Sequence, residues 1–403
     1  MTDQPRIVVI GAGLAAAKAI ETLRDEGFDG SIALIGDEPE APYERPALSK
    51  GYLQGASASE DLFVHPDSWY AEHRVDTTFG DPAVSIDRDA RTVLLSSGAT
   101  IGYDQLLLAT GSRPNMLNIP GVDLAGVFTL RQVSDSDQIR AAFTDAKSLV
   151  VIGAGWIGLE VAAAARGAGV DVTVLEYAAN PLERVLGEQV ASHYVALHRG
   201  NGVDLRTSTS VTAIEGVEGR VSSVRVGEET LAADIVVVGV GVSPSAELAA
   251  DAGLEVDNGI VVDEHLRTSD PLVFAAGDVA NAYNATLRAS LRVEHWDNAI
   301  RQGKLAAKSM LGGEAVYDWQ PYFFTDQYDL GMEYVGRRSA DDDVVIRGDM
   351  SSGAFIAIWL RDRVVTAGMN VNIWDVNDDL RALIGREVDP DALADSETPL
   401  TAL

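Results

Sequence analysis

The chain has 403 residues, with 31 lysines and arginines against 61 aspartates and glutamates, and it has no cysteine. This length exceeds what one hydrophobic core usually serves and predicts two or three domains. The net charge of −30 predicts a surface that repels nucleic acids and anionic membranes, so neither is expected as a partner. The lack of cysteine excludes disulfides, thiol nucleophiles and protein-bound iron–sulfur clusters, and six scattered histidines do not indicate a metal site.

The apolar stretches of the sequence are short. None approaches the roughly 18 residues that span a bilayer. The first residues, MTDQPR, lead directly into a strand pattern and carry no apolar signal-peptide region. We therefore expect a cytoplasmic protein.

Residues 6–37 carry the pattern of a nucleotide-binding strand–helix–strand unit. They read RIVVIGAGLAAAKAIETLRDEGFDGSIALIGD and predict a buried strand at 7–10, a helix at 14–25 and a strand at 31–35. The acidic residue after the second strand, Asp37, can accept a hydrogen bond from a ribose hydroxyl. The order of these elements predicts a dinucleotide site, and a βαβ unit that only packs is the alternative.

The small residues of this unit explain how a dinucleotide would be held. Gly11 makes the tight turn after the strand, and Gly13 lets backbone N–H groups approach a pyrophosphate. Ala16 stands where a third glycine is common and lets the helix pack closely on the strand. The positive end of the helix dipole then faces the phosphate charge.

A second unit at residues 149–176 has the complete glycine pattern. A predicted strand is followed by Gly153, Gly155 and Gly158, an alanine-rich helix, and a second strand that ends at Glu176. Because all three glycines are present, this is the stronger of the two dinucleotide motifs.

The acid that ends the second unit bears on cofactor choice. Glu176 can accept hydrogen bonds from both ribose hydroxyls of NADH, whereas its charge would repel the 2′-phosphate of NADPH. The residues that follow, 177–179, include no arginine that could neutralise it. The sequence favours NADH.

Other periodic stretches predict elements outside the two units. We expect a helix at 61–74, short antiparallel strands at 75–101, a buried strand at 103–108, a helix at 185–200, strands and turns at 203–237, and a strand at 272–275. A late strand–glycine turn at Gly277 and Asp278 suggests that the first domain is interrupted by the second. Aromatic residues become frequent from about Trp319, which predicts a third, C-terminal domain.

Seven motifs together carry a family resemblance. GAGLAA, PYERPALSK, ATGSRP, GAGWIGLE, FAAGDVA, EHWDNAIRQGK and PYFFTDQYDLG occur in this order. The chain resembles the NADH-dependent ferredoxin reductases of oxygenase systems from residue 6 to about 375. This resemblance implies a reductase that takes hydride from NADH onto FAD. It then passes single electrons to a [2Fe–2S] ferredoxin, which feeds a cytochrome P450 or a Rieske oxygenase.

The resemblance also implies an architecture. We expect a glutathione-reductase-like α/β fold with two Rossmann-like domains and an α+β C-terminal domain. The FAD domain would comprise residues 1–112 and 246–318, with an NADH domain at 113–245 inserted in it. The C-terminal domain would comprise 319–403.

By the same resemblance, the first unit binds FAD. The implied FAD-binding residues are Gly11, Gly13, Leu14, Ala15, Ala16, Asp37, Glu38, Arg45, Lys50, Val84, Ala109, Thr110, Gly111, Arg131, Gly277, Asp278, Glu294, His295 and Trp296. Asp278 would bond the ribityl chain, although a strand-end aspartate is often only a turn former. Trp296 would offer its backbone N–H to the flavin at a helix N-terminus.

The second unit would bind NADH. The implied residues are Gly153, Gly155, Trp156, Ile157, Gly158, Glu160, Glu176, Val240 and Gly241. The family places a lysine and a glutamate beside the reactive flavin nitrogen, and Lys50 and Glu160 match them as catalytic residues. A glutamate in the first turn of a helix also favours the helix dipole, so a structural role alone would explain Glu160 equally well.

The ferredoxin partner is expected to dock near a locally basic stretch. Its possible contact residues are Arg301, Lys304, Lys308 and Phe324, and a merely solvated helix face is the alternative. Tyr322 and Phe324 replace tryptophans of the family pattern, so packing is kept while the indole N–H groups are lost. We expect a monomer or a weak homodimer.

Two other functions stay open at this point. One is a redox-sensing flavoprotein similar to apoptosis-inducing factor, in which NADH binding controls partner contacts. The other is a rubredoxin reductase. The related NADH oxidases, peroxidases and disulfide reductases work through a cysteine, which this chain lacks.

Overall fold

The computed structural model describes residues 5–403, which fall into two compact units. The first unit comprises the chain to residue 44 together with 59–113 and 242–321. The second comprises 45–58, 114–241 and 322–403. The domain boundaries expected from the sequence stay a prediction.

Nine α-helices occur within the described residues 5–403. They are α1 Leu14–Asp25, α2 Asp67–Glu72, α3 Val133–Phe143, α4 Trp156–Gly167, α5 Glu183–Gly200, α6 Glu247–Asp251, α7 Trp296–Met310, α8 Asn377–Leu383 and α9 Pro390–Ala394. The helix predicted at 14–25 therefore has the observed bounds of α1.

The first unit is built on a parallel sheet of five strands. Their order is Val273–Ala275, Gln105–Leu108, Arg6–Ile10, Ser31–Ile35 and Val75–Thr78. The central strands are buried on both faces, which is why they read as continuous apolar runs. Smaller sheets accompany this parallel sheet. One contains Ala83–Asp87, Thr92–Leu95 and Thr100–Gly102, and another contains Ile260–Val262, Ala280–Asn284 and Ala289–Arg292. A further one pairs Ser112–Pro114 with Val242–Pro244.

Helices α1 and α7 of the first unit pack closely against each other. A Cβ atom on Gly303 of α7 would lie 2.3 Å from the carbonyl oxygen of Ala15 in α1. Only glycine therefore allows this approach. The close packing fixes α7 against the helix that follows the first glycine loop.

The second unit contains a parallel and an antiparallel sheet of five strands each. The parallel order is Asp204–Arg206, Asp171–Leu175, Ser148–Ile152, Ile235–Val238 and Val127–Phe128. The antiparallel order is Tyr322–Gln327, Leu330–Gly336, Val364–Val371, Ala354–Arg361 and Asp343–Asp349. A three-stranded sheet adds Val211–Val217, Arg220–Val226 and Glu229–Ala232. The predicted α/β class with two Rossmann-like sheets and an α+β C-terminal part is confirmed.

Two local predictions were wrong. The helix expected at 61–74 is a 3₁₀ turn at Ser59–Leu62 followed by α2, because Pro66 cannot continue a helix and instead precedes α2 as its N-cap. The strand Val75–Thr78 is not antiparallel to its successors. It joins the edge of the parallel sheet beside Ser31–Ile35, a pairing between distant segments that local alternation does not reveal.

Candidate active site

The first glycine loop has the backbone that its sequence predicts. Gly11 has φ +100°, and a Cβ atom there would lie 2.2 Å from the carbonyl oxygen of Ala109. A Cβ atom on Gly13 would meet nothing within 4 Å. Helix α1 begins at the next residue, Leu14, so its first N–H groups face this open space. The loop therefore has room for an anion at a helix N-terminus.

A pocket of about 310 Å³ lies beside this loop. Its lining residues are Ile10, Gly11, Ile35, Asp37, Pro82, Ala83, Val84, Thr110, Ser245, Glu247, Leu248 and Asp251. Asp37 is exposed and Val84 is 50% exposed, although valine is usually buried. Glu38 is buried instead, and it accepts a hydrogen bond from the Tyr43 hydroxyl at 2.5 Å.

The remaining residues predicted for the first site surround the turn at Gly277. The Ser112 hydroxyl donates to Asp278 Oδ2 at 2.9 Å. The N–H of Gly277 donates to Gln302 Oε1 at 2.8 Å, and Gln302 is fully buried in α7. Sequence reasoning missed Gln302; the available signal was its place in the EHWDNAIRQGK motif, on the helix that Trp296 begins.

His295 caps the N-terminus of α7. Burial lowers the pKa of its imidazole to about 4, and the nearby charge of Asp278 partly opposes this effect. The side chain is therefore neutral at pH 7. Glu294, the residue before it, is exposed and forms an ion pair with Arg292.

The second glycine loop repeats the geometry of the first within the second unit. Gly153 has φ +99°, and a Cβ atom there would lie 2.4 Å from the carbonyl oxygen of Gly239. A Cβ atom on Gly155 would lie 3.9 Å from that oxygen, which is an ordinary van der Waals distance. Gly158 has no room for a side chain, because its Cβ would lie 2.3 Å from the Gly153 oxygen. Ile157, in the first turn of α4, is 41% exposed.

Glu176 is bound to the backbone around this loop. Its carboxylate accepts hydrogen bonds from the N–H groups of Ala154 and Ala178, each at 2.7 Å. Each carboxylate oxygen has more than one acceptor site, so these bonds leave room for ribose hydroxyls. Tyr177 beside it is 81% exposed.

Lys50 and Glu160, which are distant in the sequence, are in contact. The Lys50 ammonium donates to Glu160 Oε1 at 2.7 Å, and Glu160 is 4% exposed. The hydroxyls of Ser49 and Thr325 each donate to the same carboxylate at 2.5 Å. The ring of Phe324 has its centroid 5.4 Å from Lys50 Nζ. The sequence missed Ser49 and Thr325 as partners of this pair.

Arg45 and Arg131 also lie together. The Arg45 guanidinium donates to the backbone oxygen of Arg131 at 2.5 Å, and the Arg131 N–H donates to Asp135 at 2.9 Å. The segment that carries Arg45 and Lys50 thus has fixed contacts in the second unit.

The basic residues of α7 have acidic neighbours. Arg301 pairs with Asp297 at 2.8 Å, and Lys308 lies 3.6 Å from Glu26. The charge of Lys304 acts on Glu21 of α1. These cations are therefore partly neutralised within the first unit.

The glycine loops fit two dinucleotide pyrophosphates. In each loop the first glycine has a positive φ and touches a carbonyl, while the second leaves the space before a helix N-terminus open. That combination is what close approach of a pyrophosphate requires.

Comparison with known proteins identifies the class. Residues 5–303 match the family described as pyridine nucleotide-disulphide oxidoreductase, and residues 322–403 match the reductase C-terminal family. The chain is 44% identical to rhodocoxin reductase of Rhodococcus erythropolis over 87% of its length and 82% of the relative's. It is 38% identical to putidaredoxin reductase of Pseudomonas putida over 99% and 97% of the two lengths.

A solved structure agrees with these relatives. The crystal structure of the covalent putidaredoxin reductase–putidaredoxin complex superposes with a TM-score of 0.96 at 36% identity, covering 99% of this chain and 98% of that one. The chain belongs to the pyridine nucleotide-disulphide oxidoreductase family. It is an oxidoreductase whose cofactors are FAD and NADH. In the part of the chain that the structure describes, no helix has the length and apolar character to cross a membrane.

Proposed function

We propose that this protein is an NADH-dependent ferredoxin reductase, which takes hydride from NADH onto FAD and reduces a [2Fe–2S] ferredoxin by single electrons. The observation that supports this proposal is the buried contact between Lys50 and Glu160. The unit that contains this contact also contains the glycine loop with the complete dinucleotide pattern. Bound FAD would supply the chemistry that converts a two-electron donor into a one-electron donor.

The first unit holds the FAD. Backbone N–H groups after Gly13 bind the pyrophosphate, and Asp37, which lines the pocket beside the loop, accepts from the adenosine ribose. Asp278 accepts from the ribityl chain and is oriented by the Ser112 hydroxyl. Gln302 fixes the neighbouring turn through the Gly277 N–H.

The second unit holds the NADH. The N-terminus of α4, where Gly155 leaves the approach open, would hold its pyrophosphate. Glu176 binds the adenosine ribose and excludes NADPH by charge repulsion of the 2′-phosphate. The bonds from Ala154 and Ala178 hold this carboxylate in place before the cofactor arrives.

Lys50 and Glu160 serve the hydride transfer. The Lys50 ammonium would supply positive charge to bound FAD, and Glu160, which holds Lys50, would help place the nicotinamide carboxamide. A charge fixed in a partly buried site acts more strongly than one in water. The bound cofactors would supply the hydride chemistry, so the protein would need no acid–base pair.

The acceptor is a ferredoxin of an oxygenase system, as the names of the relatives indicate. The exposed side of α7 with Arg301, Lys304 and Lys308 is one docking surface for an acidic partner, and Phe324 in the second unit is another contact candidate. Because acidic neighbours partly neutralise these cations, docking is expected to be weak and salt-dependent.

An anaerobic stopped-flow experiment on the purified protein tests the proposal. NADH should bleach the flavin absorbance rapidly, NADPH should not, and added [2Fe–2S] ferredoxin should restore the oxidised flavin. A long-lived charge-transfer band without ferredoxin reduction would instead indicate a redox sensor. A colourless protein would contradict FAD binding itself.

A further inference from the structure

A continuous row of buried side chains leads away from Glu160 Oε1, the carboxylate oxygen that Lys50 also contacts. The Thr325 hydroxyl donates to Glu160 at 2.5 Å, and Gln327 Nε2 donates to the Thr325 oxygen at 3.2 Å. Gln327 Oε1 lies 2.8 Å from Nε2 of His198. Thr325, Gln327 and His198 are each no more than 1% exposed.

The direction of every hydrogen bond in this row follows from the first one. The Glu160 carboxylate beside the Lys50 ammonium has no proton to donate, so Thr325 must donate to it. The Thr325 oxygen then accepts from the amide nitrogen of Gln327, whose oxygen is left to face His198. His198 must therefore carry its proton on Nε2. Burial lowers the pKa of His198, and the bond to Gln327 partly opposes this, so the imidazole is neutral and has one such proton.

The hairpin turn at the far end supports the same assignment. Tyr328 has φ +57°, a left-handed backbone conformation that is unfavourable for a bulky side chain. In this conformation its hydroxyl lies 3.4 Å from Nδ1 of His198, and the two rings meet edge to face at 5.3 Å. A strained residue kept beside a buried polar row suggests a role beyond packing.

We infer that Gln327 and His198 are positioning residues, which act through the Thr325 hydroxyl to fix the Glu160 carboxylate on Lys50. Neither residue touches Glu160 itself. The hydrogen bonds that join Glu160, Thr325, Gln327 and His198 run between buried side chains, where a missing donor costs more than at the surface. This inference rests on the proposed function, since its kinetic consequence is the rate of flavin reduction by NADH.

Two substitutions and their combination test the row by kinetics. Thr325→Val and Gln327→Met should each lower the rate constant of flavin reduction at saturating NADH on the order of tenfold, with the half-saturating NADH concentration within about twofold. Thr325→Ser, which keeps the hydroxyl, should restore the rate. Because Gln327 acts through Thr325, the double variant should be no slower than Thr325→Val alone. His198→Phe should also lower the rate constant of flavin reduction, by a smaller factor.

Thr366→Val is the matched control. Thr366 lies in the same antiparallel sheet, and its hydroxyl also donates to a carboxylate, that of Asp342 at 2.7 Å. The variant should lower thermal stability as Thr325→Val does and leave flavin reduction unchanged. If the Thr325→Val and Gln327→Met effects multiply in the double variant, the inference is wrong while the proposed function stands.

A second readout does not depend on turnover. Nitrogen NMR of protein with ¹⁵N-labelled histidine, in which each of the six imidazoles has two ring nitrogens to assign, should show His198 with its proton on Nε2. The Thr325→Val substitution should shift this signal, and Thr366→Val should not. A proton on Nδ1 would exchange donor and acceptor in the hydrogen bonds of the row, and it would overturn the inference. If NADH fails to bleach the wild-type flavin, the proposed function and the inference fall together.

Discussion

Lys50 donates a hydrogen bond of 2.7 Å to Glu160, across 110 positions of the sequence, and Glu160 is almost fully buried. Two hydroxyl groups, from Ser49 and Thr325, complete the set of donors around the carboxylate. Hydrogen bonds between charged groups are stronger than neutral ones, and a buried pair keeps its geometry only when each charge is satisfied. The contact is thus a fixed orientation of the lysine rather than a surface ion pair.

The first prediction concerns Glu160→Gln. The substitution keeps the side-chain volume and removes the negative charge that orients Lys50. We expect the rate constant of flavin reduction by saturating NADH to fall by on the order of tenfold or more, measured by anaerobic stopped flow.

Glu183→Gln is the control for this prediction, because Glu183 is the first-turn acid of α5, whereas the first turn of α4 has no acid and Glu160 lies just beyond it. If Glu160 only favoured its helix dipole, both variants would lose similar stability and neither would lose rate. An unchanged rate in Glu160→Gln would contradict the catalytic assignment.

The second prediction concerns Glu176→Gln. The N–H groups of Ala154 and Ala178 donate to different oxygens of Glu176, so the amide keeps an acceptor for one of them and no longer repels a 2′-phosphate. We expect the ratio of kcat/KM for NADH over NADPH to fall about tenfold, which corresponds to about 1.4 kcal/mol. Steady-state assays with both cofactors measure it.

Asp234→Asn offers a matched comparison for this change. Asp234 also accepts two backbone N–H groups, from Lys147 and Ser148 at 2.8 and 2.9 Å, in the same unit. Asp234→Asn should lower the free energy of unfolding without changing the ratio of kcat/KM for NADH over NADPH. If wild type and Glu176→Gln have the same ratio of kcat/KM for NADH over NADPH, a group other than Glu176 selects the cofactor.

Local sequence predicted the parts of the fold that local chemistry determines. Helix α1 and the strand Ser31–Ile35 have the predicted bounds, because glycines punctuate both ends of a regular apolar pattern. The contact of Lys50 with Glu160 came from the family resemblance, since no periodicity joins residues so far apart. Thr325, 165 positions from Glu160, was not predicted as its partner for the same reason.

The positions that sequence reasoning missed share a physical cause. Gln302 and Gln327 look like ordinary polar residues of a helix and a strand, yet both are buried and bonded to groups from distant segments. Burial of a polar side chain is decided by tertiary packing and has no local pattern. The proline at position 66, by contrast, was a local signal that should have ended the helix predicted at 61–74.

The third prediction concerns Gly303→Ala. The added methyl group would lie 2.3 Å from the Ala15 carbonyl oxygen, so α7 must move away from α1. We expect a loss of about 1–3 kcal/mol in the free energy of unfolding, which outweighs the better helix propensity of alanine. FAD content of the purified protein should fall as well, because the same helix carries Gln302 and begins at Trp296.

Gly167→Ala is the control for overpacking. Gly167 ends helix α4, and a Cβ atom there would meet nothing within 4 Å. The free energy of unfolding of Gly167→Ala should stay the same or rise by up to about 1 kcal/mol. Denaturant unfolding of both variants measures the difference. If Gly303→Ala is as stable as Gly167→Ala, the close approach of α1 and α7 is not rigid.

The last prediction concerns pH and His295. Its ordinary pKa of 6.5 applies to the unfolded chain, and burial lowers the folded value to about 4. Between these values the unfolded chain binds more protons than the folded protein, so the free energy of unfolding decreases as pH falls from 6.5 to 4. His295→Gln should remove on the order of 1–3 kcal/mol of this decrease, measured as urea midpoints from pH 4.5 to 7. His265→Gln is the control, since that imidazole lies near the surface and bonds the Ala315 carbonyl. An identical pH slope in His295→Gln and wild type would show that folding does not lower the pKa of His295, which contradicts its burial as a neutral helix cap.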